Sequence, residues 1–228
     1  MKKAFTLIEL IMVIVIVGIL AFVLLPRQTD NRLITAANQV AKHIRYTQHL
    51  ALMSDKFDAN DTSWFKNYWQ IYFHQIPNNI WSGSNDDIGY TIFSDIASVG
   101  AGARGNPNSE TEIARNPQQS NLILSPGHSG TGVVIDKSKL TPELNLTKTY
   151  GISDVSFSNT CRKTTDRRLH FDQRGRPHFG ANLNDANENL VTNTCVITLT
   201  GNAGNMLNIL VYPETGRVCI DHENAGNC

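Results

Sequence analysis

From Phe5 to Leu25 the chain runs through 21 residues with a single ionisable side chain, Glu9. No other stretch of the 228 residues limits the fold so tightly. As a helix rising ~1.5 Å per residue it reaches roughly 30 Å, the thickness of a bilayer's hydrocarbon core. Lys2 and Lys3 stand directly before it, and positive charges in that position stay on the cytoplasmic side. Whatever follows Leu25 then lies on the far side of the membrane. A secretory signal peptide would carry a shorter apolar region and a small-x-small cleavage site. Ala21 alone matches that poorly, and Pro26 and Arg27 follow at once. A plain anchor fits the length but gives no reason for Glu9. A carboxylate inside an apolar helix costs on the order of a few kcal/mol unless it is neutralised or paired, which marks it as a functional candidate.

The run Ala4-Phe5-Thr6-Leu7-Ile8-Glu9 resembles the prepilin processing and methylation motif of type IV pilins and type II secretion pseudopilins. The resemblance implies a leader of residues 1–4, cut on the cytoplasmic side between Ala4 and Phe5 by a prepilin peptidase. That peptidase also N-methylates the new amine. It further implies that Glu9 pairs with the terminal amine of a neighbouring subunit, which would supply the missing counter-charge. Gly18 and Pro26 lie where the family places helix-loosening residues. One position departs from the pattern: the residue before the cut is usually glycine, and here it is Ala4.

Beyond the apolar run, Pro26 should kink or interrupt the helix, and Thr29 or Asp30 is placed to cap a second one. Leu33, Ala37, Val40, Ile44, Thr47 and Ala51 recur at spacings of four and three and draw one mostly apolar stripe. Asn38, Lys42, Arg45 and His49 fall opposite, so residues 26–56 read as an amphipathic helix that packs on a sheet. His43 and His49 are expected in solvent. After Ser54 come short aromatic and β-branched runs: 68–73, 90–93, 122–124, 133–135, 168–171, 196–199, 208–212 and 217–220. Residues 213–216 read as a tight hairpin connection between the last two. Val99 to Gln119 reads as a long exposed loop. The fold class is therefore α+β: a transmembrane helix at 5–25, continued by a helix packing on an antiparallel sheet within a β-rich domain at 57–228.

Twenty Lys and Arg balance twenty Asp and Glu, which gives no global attraction to nucleic acid or anionic lipid. The four cysteines, Cys161, Cys195, Cys219 and Cys228, have no metal-site spacing. An even number in an exported domain reads as two disulfides with three pairings open. Cys161 and Cys195 each precede a strand-like run and could meet at one end of the sheet. The Asn224–Asn227 segment lets Cys228 fold back to Cys219. These positions favour 161–195 with 219–228.

The segment Phe171-Asp172-Gln173-Arg174-Gly175-Arg176-Pro177, with Ile209–Val211 and Thr215–Val218, is similar to the C-terminal domain of the GspH/FimT minor pseudopilins. No nucleophile motif or phosphate-binding loop is present, so no enzyme and no cofactor is expected. His170, Asp172 and His178 are close in sequence, but structural hydrogen bonding outranks a metal site. Residues 182–189 alternate oxygen ligands without a calcium loop's central glycine, and read as a polar turn. The only local basic patch is Arg162, Lys163, Arg167, Arg168, Arg174 and Arg176. Some FimT-like pilins bind DNA through basic residues near the C-terminus, but here the terminus is acidic to neutral. DNA, through Arg174 and Arg176, is the lesser alternative. The sequence thus points to a minor pilin or pseudopilin in the inner membrane, its C-terminal domain periplasmic, whose partners are the processing peptidase and other pilin subunits. The major subunit and a tip adhesin are the remaining alternatives.

Overall fold

The computed structural model describes residues 6–24, 28–76, 87–96, 105–107, 109–127, 136–181, 183–223 and 225–227. Two long helices come first, α1 over Leu7–Leu24 and α2 over Gln28–Met53. In α2 the stripe of Leu33, Ala37, Val40, Ile44, Thr47 and Ala51 is buried, and Ala36 and Ala41 widen it. Helix-packing distance follows the side chains at the contact, so these alanines let the helix sit close to the strands beneath. The opposite face, with Asn38, Lys42, Arg45 and His49, is exposed. α2 already includes Thr29 and Asp30, which therefore lie in its first turn and not ahead of it as caps.

The strands are β1 (Trp69–Gln75), β2 (Ile88–Ser94), β3 (Ile152–Phe157), β4 (Arg168–Phe171), β5 (Pro177–Phe179), β6 (Cys195–Gly201), β7 (Met206–Val211) and β8 (Val218–Asp221). A short helix, α3 (Leu146–Tyr150), leads into β3. The strands form two sheets, ordered β2-β1-β4-β5 and β3-β6-β7-β8, antiparallel at every pairing. The α+β class and the antiparallel pairing hold, but the single expected sheet is two. The helix that packs on them is α2, and its widened stripe is broad enough to serve both. One core joins α2, through Ala37 and Ile44, to Ile71 and Leu169 of one sheet and Ile197 and Ile209 of the other. β6 shows the half-buried alternation cleanly: Cys195, Ile197, Leu199 and Gly201 are buried, with less buried residues between.

β2 is an edge strand, yet every residue in it is buried. Its outer edge is paired by chain that is not itself strand. Ala114 N–H donates to Ile92 O at 2.9 Å, Ile92 N–H to Leu124 O at 3.0 Å, and Leu124 N–H to Ala114 O at 2.7 Å. An open edge is a template for unwanted pairing, and these segments close it. The Val99–Gln119 stretch, where described, is therefore not a free loop. It holds a capped turn at Glu110–Glu112, followed by buried Ile113 and Ala114. Leu122–Leu124 supplies only isolated bridges, from Ile123 to Arg115 and Leu140. Residues 133–135 lie outside the described residues.

At the other end of α2, Gln48 Nε2 donates to Gly175 O at 2.8 Å and Thr215 O at 2.7 Å, tying two turns to the helix. Arg45 adds a bond to Val218 O at 2.8 Å. Gly216 has φ +59°, and a Cβ there would stand 2.5 Å from both Gln48 Nε2 and Gly175 O. Any side chain would push the turn off the helix. The residues 213–216 do join β7 to β8 as a hairpin.

Candidate assembly site

Over its described side chains, Leu7 to Leu20, α1 buries nothing within the chain. Every residue from Leu7 to Leu20 is exposed, with Leu7 at 78%, Ile14 at 62% and Leu20 at 54%. A helix apolar on all sides is normally buried by something, and a contiguous apolar surface this long marks an interaction site. Among the described residues no helix is long and apolar enough to cross a membrane. The 18 residues of α1 reach roughly 27 Å, while the apolar run in the sequence extends to Phe5 and Leu25, outside the described residues.

Glu9 sits in the first turn of α1, and its carboxylate is held by Thr6. Thr6 N–H donates to Oε2 at 2.9 Å and Thr6 Oγ1 to the same oxygen at 2.8 Å. Glu9 N–H approaches Thr6 Oγ1 at 3.4 Å. This is a capping box, in which a hydroxyl residue and a glutamate three positions on satisfy each other's backbone N–H. A negative charge here also faces the positive end of the helix dipole. Sequence reasoning assigned Glu9 a partner in another subunit and missed the one in its own chain. The signal was present as Thr-x-x-Glu ahead of an apolar run.

Ala4, Phe5 and Pro26 lie outside the described residues. α1 runs unbroken through Gly18, where an added Cβ would meet nothing within 4 Å. Cys161 and Cys195 form a disulfide with Cα atoms 5.4 Å apart. Because β3 and β6 pair antiparallel, the turn after β3 and the first residue of β6 meet at one end of that sheet. Cys219, on β8, is also disulfide-bonded; Cys228 lies outside the described residues.

His170 and His178 face each other across β4 and β5, and His178 Nε2 stands 3.7 Å from Asp172 Oδ2. Asp172 accepts from Arg174 N–H at 2.9 Å, Arg176 N–H at 2.8 Å and Arg176 Nε at 2.7 Å. Burial pushes this carboxyl up, but the nearby His178 ring and the Arg176 hydrogen bonds outweigh burial and hold it at about 2. Its role is to shape the turn at 172–176. No cluster of metal-ligating side chains occurs among the described residues. Of the 182–189 segment, residues 183–189 are described, and there Glu188 is engaged by Lys163 and by Asn184 N–H.

Of the six basic residues between Arg162 and Arg176, four are ion-paired: Lys163 with Glu188, Arg167 with Asp154, Arg168 with Asp166 and Arg176 with Asp172. Arg168 is also buried beneath Tyr72, 3.9 Å from its ring centre. Among the described residues, Arg162 and Arg174 alone of the six make no ion pair. The patch legible in sequence is thus largely neutralised.

His43 corrects another expectation. It is not in free solvent, since its Nδ1 lies 2.6 Å from the hydroxyl of Tyr90. Burial, reinforced by Lys42, pulls its pKa down to about 4.

Residues 1–25 match the family described as the prokaryotic N-terminal methylation motif. That motif supports a type IV pilin-like N-terminal segment. The match covers that segment alone. No curated protein and no solved structure matches the chain.

Proposed function

We propose that the chain is a structural subunit, a minor pilin or pseudopilin, that joins, initiates or caps a type II secretion pseudopilus or type IV pilus. The observation that carries this reading is the coincidence of the methylation motif at residues 1–25 with an α1 whose apolar side chains from Leu7 to Leu20 are exposed. Phe5–Leu25 inserts in the inner membrane, with residues 1–4 cytoplasmic and the β-rich domain periplasmic. A prepilin peptidase cuts between Ala4 and Phe5 and methylates the new amine. α1 then leaves the lipid for a bundle of like helices, where Glu9 meets the amine of a neighbour. The disulfide at 161–195 suits an oxidising compartment, and Cys219–Cys228 is the second pair this reading requires. The part played is one of packing, not catalysis. DNA reception fits less well, because four of the six clustered cations already have carboxylate partners.

Intact-mass and N-terminal peptide analysis of membrane-extracted protein tests the reading. The expected mature chain begins at N-methylated Phe5. An uncut chain, or one beginning near Arg27, overturns it.

A further inference from the structure

A cleft of about 730 Å³ opens between α2, the loop at 116–122 and the turn at 141–144. That volume lies within the ~300–1,000 Å³ usual for small-molecule sites. The walls are tied in place. Tyr46 donates its hydroxyl to Arg115 O, Asn116 N–H closes the loop onto Leu122 O at 2.9 Å, and Thr141 N–H bonds Ser125 O at 3.0 Å.

At the back of the cleft a chain of hydrogen bonds sets the state of His43. Tyr150 donates to Gln39 Oε1 at 2.5 Å. Gln39 Nε2 uses one hydrogen on Glu143 O at 2.9 Å and the other on the Tyr90 hydroxyl at 3.0 Å. Tyr90 is wholly buried, so its own O–H needs an acceptor, and His43 Nδ1 at 2.6 Å is the one in reach. Nδ1 is therefore the bare nitrogen, and in a neutral imidazole the proton must reside on Nε2. Burial and Lys42 keep His43 neutral. A fixed N–H donor thus remains on a residue that lines the cleft.

The rest of the lining is suited to hydroxyl groups. Asn38, Asn116, Gln118 and Gln119 bring amides, and Tyr46 adds an aromatic face. Lys42 and Glu143, both exposed at the cleft, oppose each other in sign, so the site presents no strong field for an ion of either charge. We infer that this cleft binds a short saccharide, with His43 Nε2–H and the amides of the 116–119 loop bonding its hydroxyls. The inference does not depend on the filament reading.

The test uses the full chain in a detergent without a sugar headgroup. It is titrated calorimetrically with glucose, N-acetylglucosamine and galacturonate trisaccharides. At least one should bind, and Gln118→Ala, an exposed change, should weaken it about tenfold, as expected for one lost hydrogen bond. His43→Phe keeps the ring's bulk and should abolish binding, while Arg174→Ala, outside the cleft, should leave it unchanged. Failure of all three sugars at millimolar concentration overturns the inference, as does binding that Gln118→Ala leaves intact. A photo-crosslinker at Gln118 that captures a second copy in assembled filaments also overturns it, since the cleft would then be a packing surface.

Discussion

α1 and α2 are near neighbours in sequence and both helical, yet they answer to different partners. α2 carries its apolar residues in one stripe and buries them under 10% exposure, as with Leu33 at 6% and Ile44 at 0%. α1 is apolar around its whole circumference and leaves Ile14 62% exposed. Periodicity of 3.6 encodes a helix that the chain itself will cover. Its absence, with apolarity retained, encodes a helix that something else must cover. The largest test of this difference is a matched pair of truncations. Ile44→Ala should destabilise the domain by about 2–5 kcal/mol, through lost burial and the cavity left behind. Ile14→Ala should leave its chemical denaturation midpoint within experimental error. A large shift for Ile14→Ala would mean that α1 packs on the domain after all.

The second test concerns a constraint confined to the packed region. Replacing Cys161 and Cys195 together by serine opens a loop with sequence separation 34. Removing such a constraint should cost about 2–4 kcal/mol. Thermal unfolding with and without reductant checks it, and membrane extraction of the variant should be unchanged.

Most of the packed region was legible because its strands declare themselves. Residues 168–171 were read to the residue, and β6, β7 and β8 to within one or two at each end. β3 was missed although Val155 and Phe157 alternate with polar residues. A register shift between Ile152 and Asp154 breaks the alternation just where it would have become convincing. The favoured 161–195 pair was right for an incomplete reason, since β3 is the element that sets Cys161 in place. The edge closure of β2 was half legible: 122–124 stood out as a strand-like run, but nothing marked Ala114, which acts through backbone groups that any residue supplies. At the other site, Glu9 stood out by its charge, whereas Thr6 went unnoticed until its hydroxyl was seen on the carboxylate. The sequence of the cleft gave no warning either: Gln39, Tyr90 and Tyr150 are 51 and 60 positions apart along the chain and meet only in the fold.

Acid should also separate the two regions. Burial pulls His74 down to about 4 and His170 down to about 3, with the cation of Arg168 adding to both. Both are held neutral in the fold, while the unfolded chain takes up a proton below about 6.5. The unfolded state therefore binds more protons between those values. This stability is fully present above pH 6.5 and is lost as pH falls toward 4, at about 1.4 kcal/mol per histidine per pH unit. Urea midpoints between pH 7.5 and 4 check the slope. A flat profile would show that these rings are protonated in place.

The smallest effect on the domain, and the sharpest on the comparison, belongs to the Thr6–Glu9 pair. Its hydrogen bonds lie within the first turn of α1, so changes there should leave the domain's denaturation midpoint unmoved. Two substitutions divide what Glu9 does. Glu9→Gln keeps a side chain that completes a capping box but removes the charge. Thr6→Ala keeps the charge but removes the hydroxyl, at about 1 kcal/mol in the first turn. If α1 is covered by a bundle in which Glu9 meets a neighbour's amine, Glu9→Gln should deplete the subunit from sheared filaments while membranes retain it. Thr6→Ala should then assemble nearly as well as the parent. The reverse ranking would make the cap, and not the charge, the reason a carboxylate stands in an otherwise apolar helix. In that case the partner of Glu9 is within its own chain, and the cover of α1 needs only apolar contact.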